Sequence, residues 1–439
     1  MLPVYDLSSA EGRDCFDKRL HLLGQTSSTT GDAAKTVATI IEDVKSSGDE
    51  AVVRYMRQWT DPGFDVNRLQ VSPEELAAAL QALDSDLRSA IEVAIDHVRQ
   101  YQEHIRPDMP PNIMIDGADL GLRFNPVDSV GLIVPGGSAA LFSTVIMLGV
   151  PAMAAGVANV SVVSPPPNRT SGQTPGDISP IVLATCALLG IKKVYRIGGA
   201  QAVAALALGT QRVERVEMIA GPGNIYSQLA KQQLGGQVGT DGGFYGPSEI
   251  VVIADEKADS RFIAADLLAQ AEHDPGKCFL VAWSRQVIEQ VIGQMSRQIT
   301  DRKRRSAIES ALGNESCAVL VAGCDQAIRV ADQIACEHVV LAVADPNALA
   351  MKLRHAGTIF LGDRSPVASG DYYAGPSHCL PTGRSARFTS GISVYTFLKR
   401  TGTVSYHDGM NPSVIDNIAR MAEAEGLDAH AESARWRSR

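Results

Sequence analysis

Four short segments of this sequence carry side chains that could do chemistry together. In Gln270-Ala271-Glu272-His273 a carboxamide and an imidazole stand three residues apart near the end of a helical pattern. That spacing projects both onto one helix face, where they could ligate the same ion. Glu337-His338 sets a carboxylate beside an imidazole at the start of an apolar run, 339–343. There the imidazole could act as a general base near neutral pH while the carboxylate activates a water. Gly370-Asp371-Tyr372 adds an oxygen donor, and Glu425-Gly426-Leu427 with His430 adds a carboxylate and a further nitrogen. The metal-ligand candidates Gln270, His273, Asp371 and His430 include no thiolate, a donor set that suits zinc and extends toward manganese or cobalt. Taken singly, each segment has a plainer reading: a polar helix face, a turn aspartate, a solvated tail histidine, a hydrogen-bonded pair at a strand edge.

Three glycine-rich turns stand where a strand-like stretch meets a helix: Pro135-Gly136-Gly137-Ser138, Gly198-Gly199-Ala200-Gln201 and Gly221-Pro222-Gly223-Asn224. Bare backbone at such a junction can approach a phosphate at a helix N-terminus. None completes the G-x-G-x-x-G fingerprint, because Tyr226 occupies the place of the third glycine. Tight turns and a nucleotide site both remain open. Ser248 in Gly246-Pro247-Ser248-Glu249 offers a short hydroxyl to a substrate or a cap, and His378 shares a small-residue loop with Asp371.

These side chains need a frame, and the pattern predicts an α/β one. Strands are expected at 130–134, 160–163 and 193–197, with helices through 155, over 181–189 and over 200–208. A second alternating run has strands at 250–254, 278–283, 318–321 and 358–361, and helical stretches over 260–272, 287–312 and 325–335. Such alternation implies mostly parallel sheets, with Glu337-His338 at the mouth of one of them. Residues 33–106 read as helical, and Ser72-Pro73-Glu74-Glu75 forms a capping box. The charged end of the chain shows one helix, 414–425, and too little apolar sequence for a core of its own.

Bulk properties exclude several functions. With 45% hydrophobic and 20% charged residues, the 439-residue chain can bury more than one core. A net charge of −9 argues against nucleic acid as a partner. The longest apolar region, 145–163, is broken by Pro151 and reads as helix plus buried strand, so no membrane span is expected. The first residues mix acidic and apolar side chains unlike a signal peptide, and export is not expected. Seven scattered cysteines without a C-x-x-C pair favour reduced thiols and a cytoplasmic location over disulfides or a zinc knuckle.

In this order, the segments resemble the histidinol dehydrogenase family over about residues 33–430. The resemblance is carried by Val134-Pro135-Gly136-Gly137-Ser138, Gly198-Gly199-Ala200-Gln201-Ala202, Ala220-Gly221-Pro222-Gly223-Asn224, Gly246-Pro247-Ser248-Glu249, Ala269-Gln270-Ala271-Glu272-His273, Glu337-His338, Gly370-Asp371-Tyr372 and Glu425-Gly426-Leu427. It implies a zinc-containing, NAD-dependent homodimer with shared active sites that oxidises L-histidinol twice, through L-histidinaldehyde, to L-histidine. By position it implies Gln270, His273, Asp371 and His430 as zinc ligands, His338 as general base for both oxidations, and Glu337 as activator of the hydrating water. Ser248 and Glu425 match substrate-contacting positions, and Gln201 and Asn224 match positions that contact NAD. Ile133 stands where many relatives carry a tyrosine on NAD; Val339-Val340 and Ser377 also depart from the common residues.

The fold so implied has two incomplete Rossmann-like domains. The expected division is an N-terminal arm, 1–30; a discontinuous first α/β domain, 31–129 and 249–391, with the metal and catalytic residues; a second α/β domain, 130–248, on the NAD side; and a C-terminal tail, 392–439, exchanged with the partner subunit. Two other readings stand beside it. One is a zinc- and NAD-dependent dehydrogenase of another small polar primary alcohol, for example a sulfonated diol. The other is a silent metal- or nucleotide-binding protein, which would have no reason to keep both Glu337 and His338.

Overall fold

The computed structural model describes residues 2–25, 31–136, 141–167, 177–273 and 276–438. Gly137 and Ser138 of the first glycine-rich turn, residues 168–176 of the loop after Pro165, and residues 26–30 lie outside the described residues. Among the described residues fourteen strands follow in chain order: β1 (Val4–Asp6), β2 (Ile113–Ile115), β3 (Ala118–Pro126), β4 (Ser129–Ile133), β5 (Asn159–Val163), β6 (Lys193–Tyr195), β7 (Met218–Ala220), β8 (Gly239–Thr240), β9 (Glu249–Ala254), β10 (Lys277–Ala282), β11 (Cys317–Leu320), β12 (His338–Ala342), β13 (Thr358–Leu361) and β14 (Leu398–Ser405).

Short runs of aliphatic and β-branched residues, buried on both faces, become parallel strands when helices cover each side. β9 and β10 are of this kind, with every residue buried. They lie in the middle of a six-stranded parallel sheet in the order β1-β11-β10-β9-β12-β13. A second parallel sheet has the order β6-β5-β4-β7-β8. In it the chain moves outward from β4 through β5 to β6 and then returns to β7 on the other side of β4. That reversal opens a crevice at the carboxyl ends of β4 and β7. The expected α/β architecture with parallel sheets is thus present, and among the described residues no helix is long and apolar enough to cross a membrane.

The first residues behave differently from the expected arm. β1 pairs in parallel with β11, from Val4 opposite Ala318 to Asp6 opposite Leu320. The helix behind it, Ala10–Gln25, buries Phe16, Leu20 and Leu23 against the six-stranded sheet beside Val319 and Ile328. The strand is too short to announce itself in the sequence and exists because the open edge of β11 offers it hydrogen bonds.

Residues 32–104 also find a different partner from the one expected. Val37 and Ile40 of helix Asp32–Ser47 and Met56 of helix Asp49–Trp59 pack with Ile197, Val203 and Ile219 of the five-stranded unit. Ile91, Ile95 and Val98 of helix Ser85–His104 pack with Val145 and Leu148 of helix Phe142–Ala155. Amphipathic helices demand an apolar partner, but their pattern does not say which sheet supplies it. The capping box is formed as read, with Ser72 Oγ accepting from the Glu75 N–H and the Glu75 carboxylate from the Ser72 N–H.

The expected 287–312 stretch is two helices, Arg285–Gln298 and Arg305–Asn314. The chain after Gly391 is more than a helical tail: β14 runs antiparallel to β3, from Leu398 opposite Pro126 to Ser405 opposite Asp119, and β2 completes a three-stranded sheet. Beyond it, helices Pro412–Ala424 and Asp428–Arg435 bury Ala419, Ala422 and Ala431 together.

If the first residues belong to the core, Phe16→Ala will lower folding stability by about 3–5 kcal/mol in chemical denaturation. A loss within about 0.5 kcal/mol, the usual range for surface changes, would mean that this segment is a loosely attached arm after all.

Candidate active site

The catalytic candidates gather where the two parallel sheets meet, and they use opposite edges. Glu337 and His338 stand at the amino end of β12 and Ser248 just before β9, whereas Pro135 and the turn 222–224 follow the carboxyl ends of β4 and β7. Together these residues line a cleft of about 500 Å³. The sequence placed Glu337-His338 at the mouth of a sheet on the carboxyl-end rule; in the structure that rule holds for the five-stranded sheet, and the six-stranded sheet contributes its amino edge.

Register makes the site. His338 lies opposite Ile250 in the β12–β9 ladder, and the residue before each, Glu337 and Glu249, closes the edge. Glu337 is 4% exposed, and its Oε1 accepts both the Ser248 hydroxyl and the Glu249 N–H, the latter at 2.7 Å. A buried carboxylate left without donors would cost several kcal/mol, so these two donors are what let it stay there. The His338 ring is buried as well, with Nδ1 3.4 Å from Glu337 Oε1 and Nε2 3.7 Å from Asp371 Oδ1. Both separations are ion-pair distances, and Nδ1 makes no hydrogen bond. Burial opposes protonation of this imidazole, but the Glu337 and Asp371 carboxylates outweigh it and raise the pKa to about 9; a cation held by Asp371 would cancel one of those charges and return the ring toward a base.

Asp371 sits on a short helix, Val367–Tyr372, in place of the expected loop. The helix is tied down from two sides. Buried Asp266 accepts the Val367 N–H at 3.3 Å, and the His378 ring lies 2.8 Å from the Asp371 carbonyl through Nδ1. A carbonyl only accepts, so Nδ1 carries the proton and Nε2 accepts from the Thr144 hydroxyl at 3.2 Å. Burial holds the His378 pKa below the usual histidine value, in keeping with a neutral ring that positions its neighbour.

Helix Ser260–Ala271 packs against this short helix and carries Gln270 in its last turn. Gln270 is buried with its amide nitrogen unpartnered, and His273, beyond the helix end, lines the cleft. Half a turn of the amide puts the carbonyl oxygen where the orphaned nitrogen stands. His273 and Asp371 line the cleft, and with the Gln270 carboxamide they form a donor set that suits a zinc-like cation. Among the described residues no three His, Cys, Asp or Glu side chains form a metal cluster. His430 and Glu425 are exposed on the tail and do not line this cleft.

A second recess of about 590 Å³ adjoins the cleft and shares Pro135, Gly223 and Asn224 with it. It lies at the carboxyl ends of β4 and β7 and is walled by Gly136, Gly198, Gly199, Ile133 and Gln201. A side chain on Gly198 would meet the Pro165 ring at 2.6 Å, so only bare backbone fits there. Gln201 is buried with Oε1 unpartnered, an acceptor waiting for a donor from a ligand. Asn224 caps helix Ile225–Gln233 by accepting the Ser227 N–H at 3.0 Å.

Sequence reading missed several of the positioning groups. Asp266 and Thr144 lie in runs that read as ordinary helix, and no spacing signals them. Glu249 was visible in Gly246-Pro247-Ser248-Glu249 but carried no assignment. It is fully buried beside Lys277, at 3.7 Å, and accepts the Gly383 N–H at 3.1 Å. Burial, aided by Glu337, prevails over Lys277 and lifts its pKa from the ordinary 4.5 to about 8.

A dehydrogenase needs an acid–base cleft next to a dinucleotide crevice, and the class this arrangement defines is that of the NAD-dependent oxidoreductases. Comparison with known proteins gives the family. A family model described as histidinol dehydrogenase matches residues 24–438. The histidinol dehydrogenase of Synechococcus is 42% identical over 92% of this chain and 91% of its own length, and that of Bacillus subtilis is 41% identical over 96% and 97%. The crystal structure of histidinol dehydrogenase from Elizabethkingia anophelis, at 32% identity, superimposes with a TM-score of 0.89 over 99% of this chain and 98% of that one. The chain belongs to the histidinol dehydrogenase family and is an oxidoreductase of histidine biosynthesis. The reading as a dehydrogenase of another small alcohol is not favoured.

Because Glu249 holds its proton longer folded than unfolded, its contribution to stability is full below about pH 4.5 and is lost as pH rises through about 8. Glu249→Gln should therefore flatten the fall in stability across that window, measured by urea denaturation at several pH values. Parallel curves for the two proteins would show that Glu249 is ionised in the fold.

Proposed function

We propose that this cleft oxidises L-histidinol in two successive steps, through L-histidinaldehyde, to L-histidine. The observation that carries the reading is the buried Glu337–His338 pair, held by Ser248 and Glu249 on one side and by Asp371 on the other. In the first oxidation His338 takes the alcohol proton. Between the oxidations Glu337 orients and deprotonates the water that adds to the aldehyde. As the water adds, His338 returns its proton to the former carbonyl oxygen, and in the second oxidation, again neutral, it takes a proton from the hydrated aldehyde. Ser248, which reaches the same cleft, contacts the substrate.

Gln270, His273, Asp371 and a His430 would hold zinc, which when bound supplies Lewis-acid polarisation and anchors the substrate's nitrogen donors. Gln201 and Asn224 would contact NAD, the acceptor of one hydride in each oxidation. His430 and Glu425 are exposed and do not line this chain's own cleft, which supports a homodimer in which each tail completes the partner's site. The seven cysteines, free thiols in the structure, fit the reducing cytoplasm.

Purified protein with zinc and NAD should form NADH from L-histidinol and none from a sulfonated diol; the reverse preference would transfer the site to another alcohol. His338→Asn should slow both oxidations by roughly a hundredfold to ten-thousandfold, while Glu337→Gln should release the first hydride and stall before the second. Counting NADH per site in a single turnover separates them, and equal loss of the first hydride in both variants would refute this division of labour. Mixing inactive His338→Asn and His430→Ala chains should restore roughly a quarter of wild-type activity, because half the dimers carry one intact site. If mixtures stay inactive, each tail serves its own subunit.

A further inference from the structure

The glycine turn between crevice and cleft is held from behind by a buried ion pair. Lys231, on helix Ile225–Gln233, and Asp241, just after β8, are both buried. Lys231 Nζ lies 2.8 and 3.0 Å from the two carboxylate oxygens of Asp241. The same ammonium donates to the Gly221 carbonyl at 3.0 Å, and Asp241 Oδ2 accepts the Gly221 N–H at 2.7 Å. Both backbone polar groups of one residue are therefore satisfied by one salt bridge.

Gly221 is the residue whose place matters. It follows β7 directly and turns the chain at φ +117°, a conformation that favours glycine. A side chain there would meet the Ile133 carbonyl oxygen at 2.6 Å. The next residues, Gly223 and Asn224, line both recesses, and Asn224 caps the helix that carries Lys231. Turn, cap and ammonium thus form one closed loop of contacts, with Asp241 as its only carboxylate. Burying two charges costs desolvation that a pair of well-packed apolar residues would avoid, so stability alone is a poor reason for this pair.

We propose that Lys231 and Asp241 are positioning residues for NAD: by clamping Gly221 they set the Gly223–Asn224 backbone at the cofactor crevice. This rests on the reading of that crevice as the NAD site. Neither side chain touches the cofactor on this view; each acts through Gly221.

The decisive variant is Lys231→Met with Asp241→Leu, which removes both charges and leaves none buried alone. It is expected to fold, with melting lowered because the buried N–H and carbonyl of Gly221 lose their partners, and to bind NAD at least about tenfold more weakly by calorimetry at a temperature where it is fully folded. KM for NAD should rise to match, with kcat at saturating NAD within about twofold of wild type. A double variant with wild-type NAD affinity would overturn the proposal, since the pair would then be packing only. Should that variant fail to fold, Gly221→Ala, which keeps the pair and displaces the turn, must show the same selective loss of NAD affinity; wild-type binding by a folded Gly221→Ala would equally overturn it. If the wild-type protein itself binds no NAD, the reading of the crevice fails, and that outcome is distinct from failure of the clamp.

Discussion

A carboxylate can remain buried beside an imidazole only if donors reach it, and Glu337 has two on one oxygen. The Ser248 hydroxyl and the Glu249 N–H both come from the entry to β9, whereas Glu337 and His338 open β12. The pair therefore exists only in the register that sets His338 opposite Ile250. A slip of one residue would turn the imidazole to the other face of the sheet and leave the carboxylate without its donors. The apolar strands behind the site, buried along their whole length, are what hold that register.

From this junction the two halves of the molecule acquire distinct tasks. The six-stranded sheet presents its amino edge, where side chains at strand starts and helix ends converge: Ser248, Glu337, His338 and, through packed helices, Gln270 and Asp371. The five-stranded sheet presents its carboxyl edge, where glycine turns leave backbone open to a ligand. Asp266 and His378, the latter held by Thr144, fix the short helix that sets Asp371 beside His338. Such support is what keeps a site within the small tolerances that proton transfer requires.

The tail follows a different logic. β14 anchors it along the length of β3, after which two helices share a small alanine contact and leave Glu425 and His430 facing out. On this weakly packed element both side chains are exposed and lie outside the cleft formed by the described residues.

Much was legible without coordinates because the decisive groups are local in sequence. Glu337 and His338 are neighbours, Gln270 and His273 share a helix end, and the capping box and glycine turns are read within a few residues. The alternation of apolar strands and helices likewise implies parallel sheets. What tertiary structure alone decided is everything that depends on which distant segment fills an open edge or covers an apolar face. The β1 strand, the antiparallel pairing of β3 with β14, the allegiance of helices 32–104 to the five-stranded sheet, and the burial of Glu249 against Lys277 all depend on contacts between segments far apart in the chain. Hydrophobic period reports that a face must be buried and says nothing of its partner. Sequence thus named the chemistry of this protein, and long-range register decided which oxygen, nitrogen and edge would meet to perform it.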